Sequence, residues 1–175
     1  MFKKLLIASA ILAATSSVAF AAAPYVGGSV GVDVNTNNTQ NFRGVPFSVF
    51  GGYGGVVGQS IYLAGEVFGT VGTAQLNNNG LKSTYNYGVS FIPGLMFNDH
   101  TMGFVRAGVV RTHFNPTAAN SSNQTGGQVG LGLQTGLMQN LDLRGEYDYT
   151  GYGSFSGLSK ARSDQFNLGL VYRFE

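Results

Sequence analysis

Residues 166–174 read FNLGLVYRF. Phe166, Leu168, Leu170, Tyr172 and Phe174 take every second position, and all are apolar. Of Asn167, Gly169, Val171 and Arg173 between them, only Val171 is apolar. Successive side chains of a strand point to opposite faces, so this segment has one greasy face and one polar or small face. The greasy face ends in two aromatics, one residue before the end of the sequence. In water, an edge strand this apolar would recruit other strands and aggregate. The pattern suits a strand with lipid on one side and a lumen on the other, in a sheet closed so that no edge remains.

The same period of two recurs upstream. It predicts eight strands, near 25–35, 45–56, 60–71, 84–97, 101–112, 128–138, 141–150 and 165–174. Each has about ten residues, the length a tilted strand needs to cross a bilayer. In the third, Ile61, Leu63, Val67 and Val71 share one face with Gly65 and Gly69, while Tyr62, Ala64, Glu66, Phe68 and Thr70 share the other. In the seventh, Leu141, Leu143, Tyr147 and Tyr149 oppose Asp142, Arg144, Glu146 and Asp148. Composition agrees with a lipid-facing sheet. Charged residues make up 10% of the chain, against about 25% in a soluble domain. The 27 glycines are about twice the usual share. There is no Cys, so neither disulfides nor thiolate chemistry is available. The expected fold is an all-β, eight-stranded, antiparallel up-and-down transmembrane barrel.

Residues 1–21 read as a cleavable signal peptide that precedes the barrel. Lys3 and Lys4 form the basic start, an apolar run follows over 5–14, and Ala19-Phe20-Ala21 supplies the small residues of a cleavage site. That apolar run is too short to span a bilayer, which needs about 20 residues. The expected mature domain is 22–175. Of ten Lys and Arg two lie in the leader, leaving eight bases against eight acids. That balance excludes a whole-chain bias toward nucleic acid.

The connections alternate in length. Those at 57–59, 98–100 and 139–140 are tight; those at 35–44, 72–83, 113–127 and 151–164 are long and rich in Asn, Thr, Ser and Gly. Short turns on one side and long loops on the other are the two-sided signature of an outer-membrane barrel. Phe47, Tyr85, Tyr87, Tyr147 and Tyr149 fall near the loop end of outward faces, and Tyr53, Phe97, Tyr172 and Phe174 near the turn end. They would form the two aromatic girdles. Strand parity turns Glu66, Arg106, Arg144 and Glu146 into the lumen at middle depth. Facing lipid, a mid-bilayer Arg would cost about 2–4 kcal/mol; facing inward, charges can pair. The third and seventh strands are opposite in an eight-stranded ring, so Glu66 is expected to reach Arg144.

These residues carry a resemblance. YLAGEVFG at 62–69, MGFVRAGVV at 102–110 and LRGEYDY at 143–149 are similar to the third, fifth and seventh strands of the eight-stranded OmpA-type, porin-like outer-membrane barrels, over the whole expected mature chain. The C-terminal stretch resembles the signal that such proteins present to the β-barrel assembly machinery, with Asn167, Gly169, Tyr172 and Phe174 in its polar, Gly and alternate-aromatic slots. In that family an inward acid–base cluster gates a narrow pore. A further Lys and a Glu of that cluster fall here at Ile92 and Gln134. The resemblance therefore leaves both a switching gate and a fixed polar plug open. Full-length OmpA has a peptidoglycan-binding domain after its barrel, for which this sequence has no residues.

The outer rim is expected to be basic, with Arg43, Lys82, Arg111, Lys160 and Arg162 against Asp164 alone. Arginine forks suit lipopolysaccharide phosphates, and sulfated host glycans are the other ligand class. Enzymes of this barrel size need a His with Ser and an acid at the rim. The two histidines are His100, in an expected turn, and His113, beside Phe114 with no obvious Ser partner. The sequence gives no metal-ligand spacing, and GGYGGVVG at 51–58 lacks the spacing of a phosphate cradle. No enzyme activity and no cofactor are expected. Two readings remain: a structural or narrow gated pore with a charged lumen plug, and a surface adhesin or serum-resistance protein that binds host surface molecules through its loops. Either would be a monomer in outer-membrane lipid.

Overall fold

The computed structural model describes residues 21–37, 40–72, 81–116, 122–152 and 162–174. Its segments are β1 (Ala21–Asn37), β2 (Gln40–Gly44), β3 (Phe47–Val57), β4 (Ile61–Val71), β5 (Leu81–Asn98), β6 (Thr101–Pro116), β7 (Ser122–Met138), β8 (Leu141–Tyr152) and β9 (Arg162–Arg173). Neighbours in sequence pair antiparallel, and β1 pairs with β9, so the sheet closes. Nine segments make eight walls. β2 and β3 both pair with the same edge of β1 in one register, Asp33 opposite Gly44 and Val30 opposite Phe47. They are one strand interrupted at Val45–Pro46, because proline has no N–H for the ladder. The Pro46 carbonyl still accepts from Gly31 N–H at 3.0 Å.

The expected strands are all present, but several run further than the alternation predicts. Pairing continues through Leu81–Pro116 and His113–Asn123, segments read from sequence as loop. The reason is that lipid enforces alternation only within the bilayer. Beyond it, Asn-, Thr- and Ser-rich ladders pair without it. The three tight connections are short, as expected. Gly58 takes a left-handed φ of 69°, which a side chain would resist. Asn98 Oδ1 accepts from the backbone N–H of His100 and Thr101 at 2.9 and 2.8 Å, closing the second turn as an Asx motif.

The barrel is inverted relative to a water-soluble protein. Phe91, Leu131 and Phe166 are each more than half exposed on the outer wall. The girdle residues Phe47, Tyr85, Tyr87, Tyr147, Tyr149, Tyr53, Phe97, Tyr172 and Phe174 are all exposed outward. Inside, the turn-side half holds an apolar cluster of Tyr25, Ala64, Ile92, Met102, Phe104 and Val171. The loop-side half is lined by polar side chains, among them Ser48, Thr70, Thr150 and Ser163. Charge lies between the two.

Candidate functional site

Glu66 on β4 is the hub of the lumen. Its side chain is fully buried. Its Oε1 accepts from Arg106 Nη2 at 2.7 Å, and its Oε2 accepts from Arg144 Nη1 at 2.7 Å and from the Tyr25 hydroxyl at 3.0 Å. β4 and β8 stand opposite in the ring, so the Arg144 bond crosses the whole lumen. Arg106 also holds Glu146 through Nε and through Nη2, the latter at 3.0 Å, and its Nη1 donates to Ser90 Oγ at 3.1 Å. The structure thus brings Glu66, Arg106, Arg144 and Glu146 into one buried network.

The network extends beyond these four. Arg144 Nε donates to Gln134 Oε1 at 2.9 Å, and Gln134 Nε2 donates to Asp142 Oδ2 at 2.6 Å. Arg173 grips Asp142 with Nε and Nη2 at 3.0 and 3.1 Å. A chain of polar contacts therefore runs from the turn-side mouth to the barrel centre. Strand parity marks Gln134, Asp142 and Arg173 as inward, but parity alone gives no depth along the strand. Their meeting depends on the stagger between strands, which the sequence does not state.

Aromatic rings complete the socket. The Arg144 guanidinium carbon lies 4.8, 5.2 and 5.5 Å from the ring centres of Phe50, Phe104 and Tyr25. Arg106 lies 5.6 Å from that of Phe68. Desolvated cation–π contacts of this kind are worth about 2 kcal/mol. They face Arg144 Nη2, which has no hydrogen-bond partner among the described residues. Glycines make the room. A Cβ at Gly52 would overlap the Tyr25 ring, one at Gly132 the Phe104 ring, and one at Gly130 the Asp148 carboxylate. At the position equivalent to the family's lumen Lys, Ile92 is completely buried in the apolar cluster.

The four residues expected to form an assembly signal divide between the two faces of β9 and its end. Asn167 is an inward lumen residue: its Nδ2 donates to Asp148 Oδ2 at 3.1 Å and its Oδ1 accepts from Gln165 Nε2 at 2.7 Å. Gly169 sits between Arg144 and Ser29 in the ladder. Tyr172 and Phe174 meet edge to face, 5.1 Å apart at 81°. Phe174 N–H donates to the Pro24 carbonyl at 2.9 Å, tying the segment to the start of β1.

The basic rim is not one patch. Arg43 lies on β2, Arg111 on β6 and Arg162 at the start of β9, all exposed. The loop assignment is corrected for Arg43 and Arg162, because the ladders continue past the girdle. Arg43 and Arg162 flank β1, opposite Val34 and Thr36, whereas Arg111 is on the opposite wall of the ring. The Lys82 backbone pairs with Asn115 on the β5–β6 ladder, also outside the expected loop. Lys160 lies outside the described residues. Asp164 accepts from the Tyr147 hydroxyl at 2.5 Å. His113 stacks on Tyr85 at 5.0 Å and shares a hydrogen bond with Asn123 at 2.7 Å. Among the described residues no group of three or more His, Cys, Asp or Glu is placed to hold a metal ion.

The outer membrane protein β-barrel domain family model matches residues 5–174. The chain belongs to that family. It is an integral outer-membrane barrel of a Gram-negative bacterium. No curated protein matches this outer-membrane barrel in sequence. Among solved structures it is similar to Neisserial surface protein A, at 17% identity and TM-score 0.70, over 87% of this chain and 99% of that one. It is also similar to Ail, the attachment invasion locus protein of Yersinia pestis, at 19% identity and TM-score 0.55, over 87% and 97%. A second Ail structure, in complex with the heparin analogue sucrose octasulfate, is 18% identical with TM-score 0.53, over the same shares.

Proposed function

We propose that this outer-membrane barrel is a closed structural element of the envelope, its lumen shut by a fixed ionic plug. The observation that carries this is the stacking of two seals. Glu66 joins Arg106 and Arg144 across the lumen at 2.7 Å each, and the apolar cluster around Phe104 and Ile92 fills the turn-side half. A switching gate needs a charge to leave one partner for another that it does not already hold. Glu66 already holds both Arg106 and Arg144, so the exchange would need the family's two further charged positions. Ile92 offers no charge there, and Gln134 offers only a neutral amide. The test is planar-bilayer recording of the folded protein. The plug predicts a baseline without resolved steps; repeated openings of the wild-type protein would refute it. On this reading the chain is delivered by its signal peptide at 1–21, inserted by the β-barrel assembly machinery through its C-terminal signal, and works as a monomer without catalysis.

The exposed arginines favour a second role at the surface. Arg43, Arg111 and Arg162 stand outward at the loop end of the wall, at the height of headgroup phosphates, where a guanidinium fork pairs well. Lipopolysaccharide is therefore the preferred partner. Adhesion through the loops is the alternative reading, supported by the fold shared with Ail, one of whose structures holds a sulfated ligand. Arg43→Gln with Arg162→Gln should weaken retention on immobilised lipopolysaccharide if the first partner is correct. Unchanged retention there, with reduced retention on heparin, would favour the adhesin.

A further inference from the structure

The lumen charges do not balance. Glu66, Glu146 and Asp148 face Arg106 and Arg144, while Asp142 is matched by Arg173. Among these seven residues one negative charge is left over, and Asp148 is the carboxylate with the fewest donors. Its Oδ2 accepts from Asn167, but its Oδ1 has no hydrogen-bond partner among the described residues. The nearest cationic nitrogen, Arg106 Nε, is 3.6 Å away and already donates to Glu146. Asp148 is 5% exposed. A buried charge without a partner costs several kcal/mol, and a compensating positive charge at Asp148 would relieve that cost.

The space for one is beside it. A cavity of about 40 Å³ on the loop side of the plug is bordered by Asp148, Glu146, Gln128 and Asn86. That exceeds the ~10–15 Å³ a single water needs. Two more acceptors there lack partners among the described residues: Gln128 Oε1, on a residue 8% exposed, and Asn86 Oδ1. Gln128 is one inward position nearer the loops than Gly130, the ladder partner of Asp148. Gly130 keeps the approach to Asp148 Oδ1 open, since a Cβ there would overlap it. Asp33, buried and accepting from Ser163 Oγ at 2.7 Å, lies further toward the loops.

We propose that this chamber binds one monovalent alkali cation, held by the Asp148 carboxylate and the amide oxygens of Gln128 and Asn86. Oxygen donors suit hard cations. One surplus charge among those seven residues, and no group of three or more His, Cys, Asp or Glu placed to hold a metal ion among the described residues, favour a monovalent over a divalent ion. Binding would complete the neutralisation of the plug, and the cation would stabilise the folded barrel by mass action.

The test is thermal unfolding of the detergent-folded protein by circular dichroism at fixed ionic strength, with sodium or potassium chloride replacing N-methyl-glucamine chloride. The proposal predicts a saturable rise in Tm with the alkali ion. Asp148→Asn should abolish it. Gln128→Leu, which keeps the carboxylate and folds without a new buried charge, should weaken half-saturation about tenfold. Thallium-soaked crystals should show an anomalous peak beside Asp148 Oδ1. A Tm indifferent to cation identity would overturn the site. So would a Tm that depends only on pH, falling as pH rises in the wild type and not in Asp148→Asn, because the compensating charge would then be a proton shared between Asp148 and Glu146.

Discussion

Replacing Glu66 by Ala should be the most damaging single truncation in the lumen. The carboxylate serves three donors, Arg106, Arg144 and Tyr25, with its side chain fully buried. Its loss is unequal for the two arginines. Arg106 keeps Glu146 and lies 3.6 Å from Asp148. Arg144 keeps only Gln134 and three aromatic rings. Breaking a buried pair from one side costs about 3–5 kcal/mol, and leaving the Tyr25 hydroxyl without an acceptor adds about 1–3 kcal/mol. Water entering from the loop-side cavity and the cation–π contacts relieve part of this, so a net loss of about 4–6 kcal/mol is expected. Arg144→Met should cost less, because Glu66 retains Arg106 and Tyr25. The double variant should regain part of the loss, with a coupling of about 2–3 kcal/mol. Urea titrations in lipid vesicles followed by far-ultraviolet circular dichroism measure all three, a suitable probe because the chain has no Trp. A coupling below about 0.5 kcal/mol would refute Glu66–Arg144 as the bond that spans the lumen.

Phe174→Asp should block assembly, since it removes one partner of the edge-to-face pair and puts charge at the interface; outer-membrane levels equal to wild type, seen by fractionation and heat-dependent gel migration, would contradict this. Gly132→Val should destabilise by about 1–3 kcal/mol, because its side chain would overlap the Phe104 ring; an unchanged urea midpoint would mean the turn-side lumen is not filled as described.

The wall of the barrel is legible in the sequence because lipid imposes a rule on every second residue. In β4 and β8 that rule separates Val67 and Tyr147 from Glu66 and Glu146 without ambiguity. It lapses where the ladders leave the bilayer, which is why 113–116 and 122–127 read as loop although they pair. Pro46 likewise hides the continuity of β2 with β3, since only the register to β1 reveals it. Inside the lumen, parity identifies which residues point inward but not which ones meet. Glu66 and Arg144 are legible as partners because opposite strands in a narrow ring leave little choice. The Asp142–Arg173 pair, the Tyr25 hydroxyl on Glu66 and the surplus charge at Asp148 depend on stagger and side-chain reach. The rim arginines share a sign but not a location, for the same reason: Arg111 is separated from Arg43 and Arg162 by half a turn of the wall.

The account rests on a closed barrel with lipid outside and a packed lumen within, and a nitroxide scan along 86–97 of β5 tests it most directly. The chain has no Cys, so single cysteines can be placed without other changes, and the inward residues of this strand carry none of the plug charges. In lipid vesicles, labels at 87, 89, 91, 95 and 97 should be accessible to oxygen. Labels at 90, 92 and 96 should be immobile and shielded from both oxygen and a polar relaxation agent. An alternation of the opposite phase, or a lumen face open to the polar agent along its whole length, would contradict the plugged barrel.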